Sequence, residues 1–280
     1  MPSTFKLPVL GEQEFSRLQT LMSSASGIHL ASNKRSLVAG RLMKRLRHYH
    51  LDNYRDYLHL IERPTHSRER RLVIDLLTTN ETYFFREFPH FEFLGQWLGR
   101  RKGPLRLWSA ACSSGEEPYS LAMTAAEHTR GNEWSVLGSD LSQSMLGIAE
   151  QGIYDMAQAR YFPEGWLQRY CLCGVGEMAG RMRMITSLRE RLRFRPINLI
   201  QSLPTDLGLF DVIFLRNLLT YFSQDEKQRV VHRLLACLRL WRRSLQPGHG
   251  RQRTRRERRL ERAGQRRQPQ PARAGRRRHL

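Results

Sequence analysis

The sequence is poor in cysteine and has no long apolar run. Its four cysteines, which form no C-x-x-C pair, have no histidine-rich neighbourhood, so no metal site is expected. Charged residues interrupt every apolar stretch, which leaves no segment long enough to cross a membrane. The stretch from Met1 to Phe15 holds neither an apolar signal core nor a small-residue cleavage site. These absences predict a cytoplasmic chain with reduced cysteines.

Two common nucleotide-binding signatures are also missing. No G-x-x-x-x-G-K-[ST] loop occurs anywhere in the chain, which disfavours ATP binding. The glycine triplet of dinucleotide-binding folds is absent, and Glu116 and Glu117 stand where a pyrophosphate would sit. These features disfavour ATP and NAD but leave other nucleoside ligands open.

Positive charge is abundant but unevenly placed. The chain carries a net charge of +21 over 280 residues. Residues 239–280 contain 16 arginines, no lysine and two glutamates, whereas the rest of the chain is only moderately basic at +7. The scarcity of large apolar residues predicts that this tail is disordered. The total charge therefore gives no reason to expect nucleic-acid binding, except through the tail.

The first part of the chain, over residues 12–79, has helical periodicity and no strand pattern. Apolar side chains recur at spacings of four, four and three in one stripe, which consists of Val38, Leu42, Leu46 and Tyr49. Further helices are predicted over 53–62 and 67–78. We therefore expect an all-helical N-terminal domain over residues 1–80.

From about residue 100 onward, short strands alternate with helices. Strands are predicted at 105–110, 134–140 and 210–215, and helices at 116–128, from about 142, and at 224–238. This alternation predicts a parallel α/β sheet with helices on both faces, in a domain spanning residues 81–238. Glycines and an alternating pattern predict a small antiparallel β insertion at about 166–197.

A candidate ligand site lies after the first predicted strand. The turn from Ser109 to Gly115 contains only small residues, which let a ligand approach the backbone, and ligands of doubly wound sheets bind at the carboxyl ends of the strands. Asp140 ends the next strand, roughly where an acidic side chain meets ribose hydroxyls. An ordinary tight strand-to-helix turn is the alternative interpretation.

Three motifs resemble those of one family. Residues 113–120, Ser-Ser-Gly-Glu-Glu-Pro-Tyr-Ser, resemble the S-T-G-E-E-P-Y-S signature of the CheR-type chemotaxis receptor glutamate methyltransferases. Residues 80–86 resemble that family's T-N-x-T-x-F-F-R motif, and residues 210–222 resemble F-D-x-I-x-x-R-N-x-x-x-Y-F. The resemblance covers about residues 12–238. It implies S-adenosylmethionine as cofactor, chemoreceptor glutamates as substrate, and a Rossmann-like methyltransferase domain joined to the helical one.

The resemblance also implies the residues of the site. The matching cofactor positions are Asn80, Thr82, Arg86, Glu117, Asp140, Asn198, Leu199, Arg216 and Asn217. Tyr221 matches the tyrosine that faces the transferred methyl group, and Arg86 or Arg216 would align the incoming carboxylate. We therefore expect Arg86 and Tyr221 to be catalytic. The alternatives are a structural ion pair for Arg86 and a core aromatic for Tyr221.

Two further segments are candidate substrate-binding regions under this resemblance. No acidic residue occurs between Phe15 and Leu51, and the predicted docking face for acidic receptor helices contains Lys34, Arg41, Lys44, Arg45 and His48. The loop around Gly174 and Gly176 resembles that of members tethered to a receptor's C-terminal pentapeptide. A solvated basic face and a plain hairpin are the respective alternatives.

The resemblance ends near residue 238. The family continues with L-x-P-G-G, whereas this chain continues Leu-Arg-Leu-Trp-Arg-Arg-Ser-Leu-Gln-Pro-Gly. A basic tail built only from arginine is typical of a GC-rich reading frame shifted by one base, and we expect the last strands of the sheet to be missing. The alternatives are a native tail that binds nucleic acid or an anionic membrane, and a non-catalytic member that only binds cofactor or receptor.

Overall fold

The N-terminal region consists of four helices. The structure is a computed structural model, and it describes residues 8–78, 81–129, 131 and 133–240. The helices are α1 (Glu12–Ser26), α2 (Arg35–His48), α3 (Tyr54–Glu62) and α4 (Ser67–Leu77). Gly27 ends α1 with a positive φ of 73°, and the Asn53 side chain caps α3 by accepting the N–H of Asp56. The expected all-helical character of this region is confirmed.

The apolar stripe of α2 faces the core of this region. Val38, Leu42 and Leu46 are at most 2% exposed, while Tyr49 is half-buried. Burying an aliphatic side chain of this size contributes about 1.5–3 kcal/mol. The stripe therefore helps to hold α2 against its neighbouring helices.

The rest of the described chain alternates strands and helices. Its first half contains α5 (Pro89–Leu98), β1 (Leu105–Ala110), α6 (Glu116–His128), β2 (Trp134–Asp140), α7 (Gln143–Gln151) and β3 (Ile153–Asp155). Its second half contains α8 (Trp166–Tyr170), β4 (Cys171–Cys173), β5 (Arg181–Met184), α9 (Thr186–Arg189), β6 (Leu192–Pro196), β7 (Val212–Leu215) and α10 (Gln224–Ala236). Among the described residues, no helix is long and apolar enough to cross a membrane.

The main sheet is parallel, with the strand order β6-β2-β1-β7. Side chains from its two faces pack in two different hydrophobic cores. Trp108 of β1 packs in the core shared with the N-terminal helices, whereas the neighbouring Leu107 packs in the core that contains α5 and α6. The predicted α/β fold class is confirmed. Because the strands are parallel, their carboxyl ends lie at one edge and bring separate segments of the chain together there.

The antiparallel insertion is real, but its limits differ from the predicted 166–197. Its sheet has the order β3-β5-β4, so it begins before residue 166. The segment Leu192–Pro196 instead pairs parallel with β2 and forms an edge of the main sheet. Its Leu-Arg-Phe-Arg alternation reflects a half-exposed edge strand, which has the same pattern as an antiparallel hairpin.

The far edge of the main sheet, at β7, is only partly covered. Leu238 makes one parallel bridge beside Phe210, whose N–H donates to the Cys237 carbonyl at 2.9 Å. The pairing is not continued within the described residues, and all four residues of β7 are half-buried. The predictions for the tail fall, from residue 241 onward, outside the described residues.

Candidate active site

A cavity that is partly open to solvent lies at the carboxyl ends of the strands. The predicted cofactor and catalytic residues within the described part of the chain all line it: Thr82, Arg86, Glu117, Asp140, Asn198, Leu199, Arg216, Asn217 and Tyr221. Asn80 lies outside the described residues. The cavity therefore brings together segments of all three sequence motifs.

Asp140 is the buried acid at the end of β2, with 8% of its surface exposed. Its Oδ2 accepts the N–H of Ser113 at 2.8 Å, and its Oδ1 accepts the N–H of Ser142 at 2.9 Å. Burial raises the pKa of this carboxyl, and the backbone N–H groups oppose that shift. The N–H groups of Ser113, Leu141 and Ser142 do not fill all four lone-pair sites of the carboxylate, so it can also accept a hydroxyl group of a ligand.

Gly115 shapes the turn between β1 and α6. It has a φ of 99°, and a Cβ there would lie 2.6 Å from the Cβ of Ala149. The hydroxyl of Tyr154 donates to the adjacent Ser114 carbonyl at 2.8 Å. Glycine is required here because any side chain would meet both a left-handed backbone conformation and a packed neighbour.

Strained backbone is concentrated around the cavity. Among described non-glycine residues, positive φ occurs at His50 and at five positions in the loops near the cavity, namely Phe85, Glu87, Ala111, Ser113 and Asn217. Such conformations cost about 1–3 kcal/mol each and cluster at functional sites, where the surroundings hold them. Their placement supports a site at this cavity.

A half-buried ion pair lies in the cavity wall. Nη1 of Arg216 lies 3.3 Å from Oε2 of Glu117, and the Arg216 side chain is 10% exposed. Arg216 also pairs with Glu87 at 3.3 Å and donates to the backbone carbonyl of Arg86. Burial raises the pKa of Glu117, while Ser109 and the Arg216 charge oppose that rise. The pair links the segment after β7 to the start of α6.

The two predicted catalytic residues differ in how they are held. Nη1 of Arg86 donates to the Glu81 carbonyl at 2.7 Å, and no described carboxylate lies within ion-pair distance of it. Tyr221 is 36% exposed, and its carbonyl accepts the N–H of His29 at 3.0 Å. Neither the ion pair nor the core packing considered as alternatives is therefore present among the described residues.

Asn198 has a structural role in addition to lining the cavity. Its Nδ2 donates to the Ala25 carbonyl at 2.8 Å, and its Oδ1 accepts the N–H of Ile200 at 3.2 Å. These bonds join the end of α1 to the segment after β6. The side-chain amide thus fixes the cavity wall, and the neighbouring Leu199 offers an apolar surface.

The predicted docking face is not uniformly free. Lys34, Lys44 and His48 are exposed. In contrast, Arg41 donates to the carbonyls of Leu76 and Thr78, both at 3.1 Å. Arg45 forms a two-bond ion pair with Glu69, at 2.8 and 2.7 Å. Spacing along α2 placed these arginines on one face, but the sequence could not show that α4 supplies partners for them.

The hairpin between β4 and β5 holds Gly174 and Gly176. A Cβ at Gly174 would lie 2.0 Å from the Met178 carbonyl oxygen, and Gly176 has a φ of 59°. Leu172 and Val175 are exposed at 59% and 83%. The glycines therefore allow a tight loop that presents apolar side chains to solvent.

Sequence reasoning missed several residues of the cavity wall. Ser26 and Ile28, at the end of α1, line it together with Tyr83, Phe91 and Phe222. The only local signal was Gly27 as a helix terminator. Nothing in the spacing showed that this turn folds over the sheet. Within the described ranges, no group of three or more His, Cys, Asp or Glu residues has the arrangement of a metal site.

Comparison with known families identifies the class of protein. Residues 13–78 match the CheR methyltransferase all-alpha domain, and residues 80–240 match the CheR methyltransferase SAM binding domain. These matches define an S-adenosylmethionine-dependent methyltransferase. The chain belongs to the CheR methyltransferase family.

Curated relatives agree with this assignment. The chemotaxis protein methyltransferase of Escherichia coli (strain K12) is 40% identical over 232 residues, which cover 82% of this chain and 81% of that protein. Chemotaxis protein methyltransferase 2 of Pseudomonas aeruginosa is 37% identical over 252 residues, covering 85% of this chain and 89% of that protein. Solved structures are less similar: an O-methyltransferase family protein from Burkholderia thailandensis has a TM-score of 0.33 at 14% identity, covering 62% of this chain and 39% of that one.

Proposed function

We propose that the chain transfers the methyl group of S-adenosylmethionine to glutamate side chains on the cytoplasmic helices of chemoreceptors, and that it does so in the cytoplasm. The observation that carries this proposal is the cavity at the carboxyl ends of the strands, which residues of all three motifs line. Membership of the CheR family indicates the reaction, and the cavity is where we propose that it takes place.

The residues of this cavity fit S-adenosylmethionine. Asp140 is a buried carboxylate with acceptor capacity left for a ribose hydroxyl. Residues 111–113 are small, so a ligand can approach the backbone, and Ile197 and Leu199 offer apolar surface to an adenine ring. Arg216 and Asn217 stand at the methionine end in this assignment. The bound cofactor supplies a methyl group on a positively charged sulfur.

The chain's own residues then have a positioning task. Glutamate is ionised at neutral pH, since its reference pKa is about 4.3, and it needs no general base. Arg86 pairs with no carboxylate among the described residues, so its guanidinium is available to align the incoming carboxylate. The Tyr221 ring would stabilise the positively charged sulfur by a cation–π contact. Holding the reacting groups in line can lower the barrier by about 7–11 kcal/mol.

The test is transfer of tritiated methyl groups to receptor-containing membranes. We expect base-labile label that disappears when the receptor glutamates are replaced by glutamine. Tyr221→Ala and Arg86→Ala should lower kcat by about 100-fold, because misplaced reactants cost that much. Lys102→Ala, a change at an exposed residue, is the control. Absence of base-labile label, with intact binding of S-adenosylhomocysteine, would contradict the proposed reaction.

Intact binding of S-adenosylhomocysteine without base-labile label would favour a second candidate function. In that case the chain is a non-catalytic module that binds cofactor or receptor. The half-buried β7 edge favours it, because the sheet is only partly covered near residue 240, where the family match ends. A nucleic-acid function would depend on residues 241–280, which lie outside the described residues. A salt-sensitive shift of nucleic acid that vanishes on deletion of residues 239–280 would support that function.

The hairpin between β4 and β5 is the proposed tether for a receptor's C-terminal pentapeptide. β4 lies at the edge of the small sheet, and an extended peptide can add to such an edge. Gly174→Val should abolish peptide binding measured by calorimetry, because the side chain would collide with the Met178 carbonyl. Gly147→Ala, on a helix with open space around it, is the matched control. Peptide affinity unchanged by Gly174→Val would exclude this hairpin.

A further inference from the structure

We propose that Asp75, in the last turn of α4, is a positioning residue for the cofactor. Through two serines it orders the start of α7 and thereby fixes the Asp140 carboxylate. This inference rests on the proposed function, because it takes Asp140 as the acceptor for the cofactor's ribose. It makes the N-terminal helices a determinant of cofactor affinity.

A continuous chain of hydrogen bonds carries the inference. Oδ2 of Asp75 accepts the hydroxyl of Ser144 at 3.1 Å, and the hydroxyl oxygens of Ser144 and Ser142 lie 2.9 Å apart. The Ser142 hydroxyl also accepts the N–H of Met145 at 3.3 Å and so caps α7. The N–H of Ser142 donates to Oδ1 of Asp140 at 2.9 Å.

Asp75 sets the direction of the protons in this chain. A carboxylate only accepts, so Ser144 must donate to Asp75. The Ser142 hydroxyl can then donate to the Ser144 oxygen or to Asp75 itself, and in either case it keeps a lone pair for the N–H of Met145. Without Asp75 the two hydroxyls can rotate, and Ser142 can donate elsewhere. The hydrogen bond from Met145 to Ser142 that caps α7 is then only one of several hydrogen-bond arrangements that the two serines can adopt.

The cap matters because Asp140 is held from two sides. Ser113 donates to Oδ2 and Ser142 donates to Oδ1. If the start of α7 loosens, the Ser142 bond is lost, and the carboxylate, then held by the N–H groups of Ser113 and Leu141 alone, can turn more freely about its χ2 angle. The lone pairs that would meet the ribose hydroxyls then lose their fixed direction, and part of the hydrogen-bond energy goes into re-ordering the side chain.

This contact joins two parts of the chain that are far apart in sequence. Asp75 belongs to α4, whereas Ser142 and Ser144 follow β2. Asp75 and Ser144, which share a hydrogen bond, are 69 residues apart in the sequence. Burial raises the pKa of Asp75, while hydrogen bonds from Ser142 and Ser144 lower it and favour its ionised form. The two serines therefore stabilise the carboxylate that orients them.

The test compares Asp75→Ala, Ser144→Ala and the double variant by calorimetry with S-adenosylhomocysteine. We expect each single variant to raise Kd about three- to ten-fold, which is the worth of one ordered hydrogen bond. The double variant should lose no more than either single one, because all three break the same chain. Asp75→Asn keeps an acceptor oxygen and should stay within about two-fold of the wild type.

Steady-state kinetics separate positioning from general damage. KM for S-adenosylmethionine should rise, while KM for receptor and kcat at saturating cofactor stay unchanged. Asp52→Asn, at an exposed position in the same helical region, is the control. If Asp75→Ala lowers the melting temperature of the free protein, Ser144→Ala decides alone, because Ser144 is exposed.

Wild-type affinity in Ser144→Ala, or losses that add in the double variant, would overturn the positioning role. Asp140→Ala distinguishes failure of the Asp75 positioning role from failure of the ribose assignment. If Asp140→Ala weakens binding and the Asp75 and Ser144 variants do not, only the positioning role fails. If Asp140→Ala leaves the affinity unchanged, the ribose assignment on which the inference rests is wrong.

Discussion

At the scale of single residues, Glu69 shows how a buried charge organises the N-terminal helices. It is 5% exposed, and it accepts two bonds from Arg45 and one from Tyr57 at 2.6 Å. Burial alone would raise the pKa of Glu69, but the bonds from Arg45 and Tyr57 outweigh it and lower the pKa below its ordinary value. The network joins α2, α3 and α4 through one carboxylate.

Breaking this network should destabilise the protein. Arg45→Ala leaves the Glu69 charge buried without its main partner, and we expect the free energy of unfolding to fall by about 3 kcal/mol in urea melts. Because the pKa of Glu69 is lowered by folding, its contribution is present above about pH 4.5 and is lost as the pH falls through the lowered pKa.

Lys44→Ala is the matched control for Arg45→Ala, since Lys44 is exposed on the same helix, and its effect should stay within about 0.5 kcal/mol. Equal stability of the Arg45 and Lys44 variants would show that the ion pair contributes nothing net. A loss of methylation in Arg45→Ala is therefore to be judged against its stability before it is assigned to receptor docking.

At the scale of secondary-structure elements, α2 carries two different kinds of basic residue. Arg41 and Arg45 bind α4, while Lys34 and Lys44 are exposed to solvent. Charges without an internal partner are the ones available to an acidic receptor helix. Such charges mainly increase the association rate and set orientation.

Reversing both lysines, Lys34→Glu and Lys44→Glu, should lower kcat/KM for receptor about ten-fold at low salt. The affinity for S-adenosylhomocysteine should be unchanged, because neither residue lines the cavity. The effect should shrink as salt screens the charges. The measurement is receptor methylation over a range of salt concentrations.

Lys102→Glu reverses an exposed charge outside α2 and serves as the control. If the double lysine variant methylates receptor at the rate of this control, the exposed basic face of α2 is only solvated. If it also loses cofactor affinity, the effect is structural and the docking assignment fails.

At the scale of the whole molecule, the two edges of the main sheet are protected unequally. The β6 edge carries Arg193, Arg195 and Pro196, which discourage pairing with other strands. The β7 edge consists of Val212–Leu215, is half-buried and carries no charge. The single bridge to Leu238 is made at Phe210, just before β7 begins.

A version of the chain in which residues 239–280 are replaced by the family's L-x-P-G-G ending should be more stable. Completing the burial of the half-buried β7 side chains should add about 3 kcal/mol to the free energy of unfolding. This figure assumes that only some of the four side chains become fully buried and that each gains roughly half of the usual burial energy. We expect a higher melting temperature, faster methylation and less aggregation. Equal melting temperatures and equal turnover would show that the tail is native and the frameshift interpretation wrong.

The sequence alone determined the local elements and the family. Periodicity placed the predicted strand 105–110, the helix 116–128 and the strand 134–140 where the structure has them, because small residues, a first-turn proline and buried strands leave strong local signals. Motif residues such as 113–120 identify the family because they are consecutive, so the whole motif can be recognised within one short segment.

Only the tertiary structure decided which side chains meet. It gave Arg45 a partner on α4, moved Leu192–Pro196 from the insertion to the main sheet, and brought Ser26 and Ile28 into the cavity wall. Each of these depends on how elements distant in the chain pack against each other, and no local pattern records that. The link from Asp75 to Asp140 belongs to the same class, because a hydrogen bond between remote segments exists only once the helices have docked on the sheet.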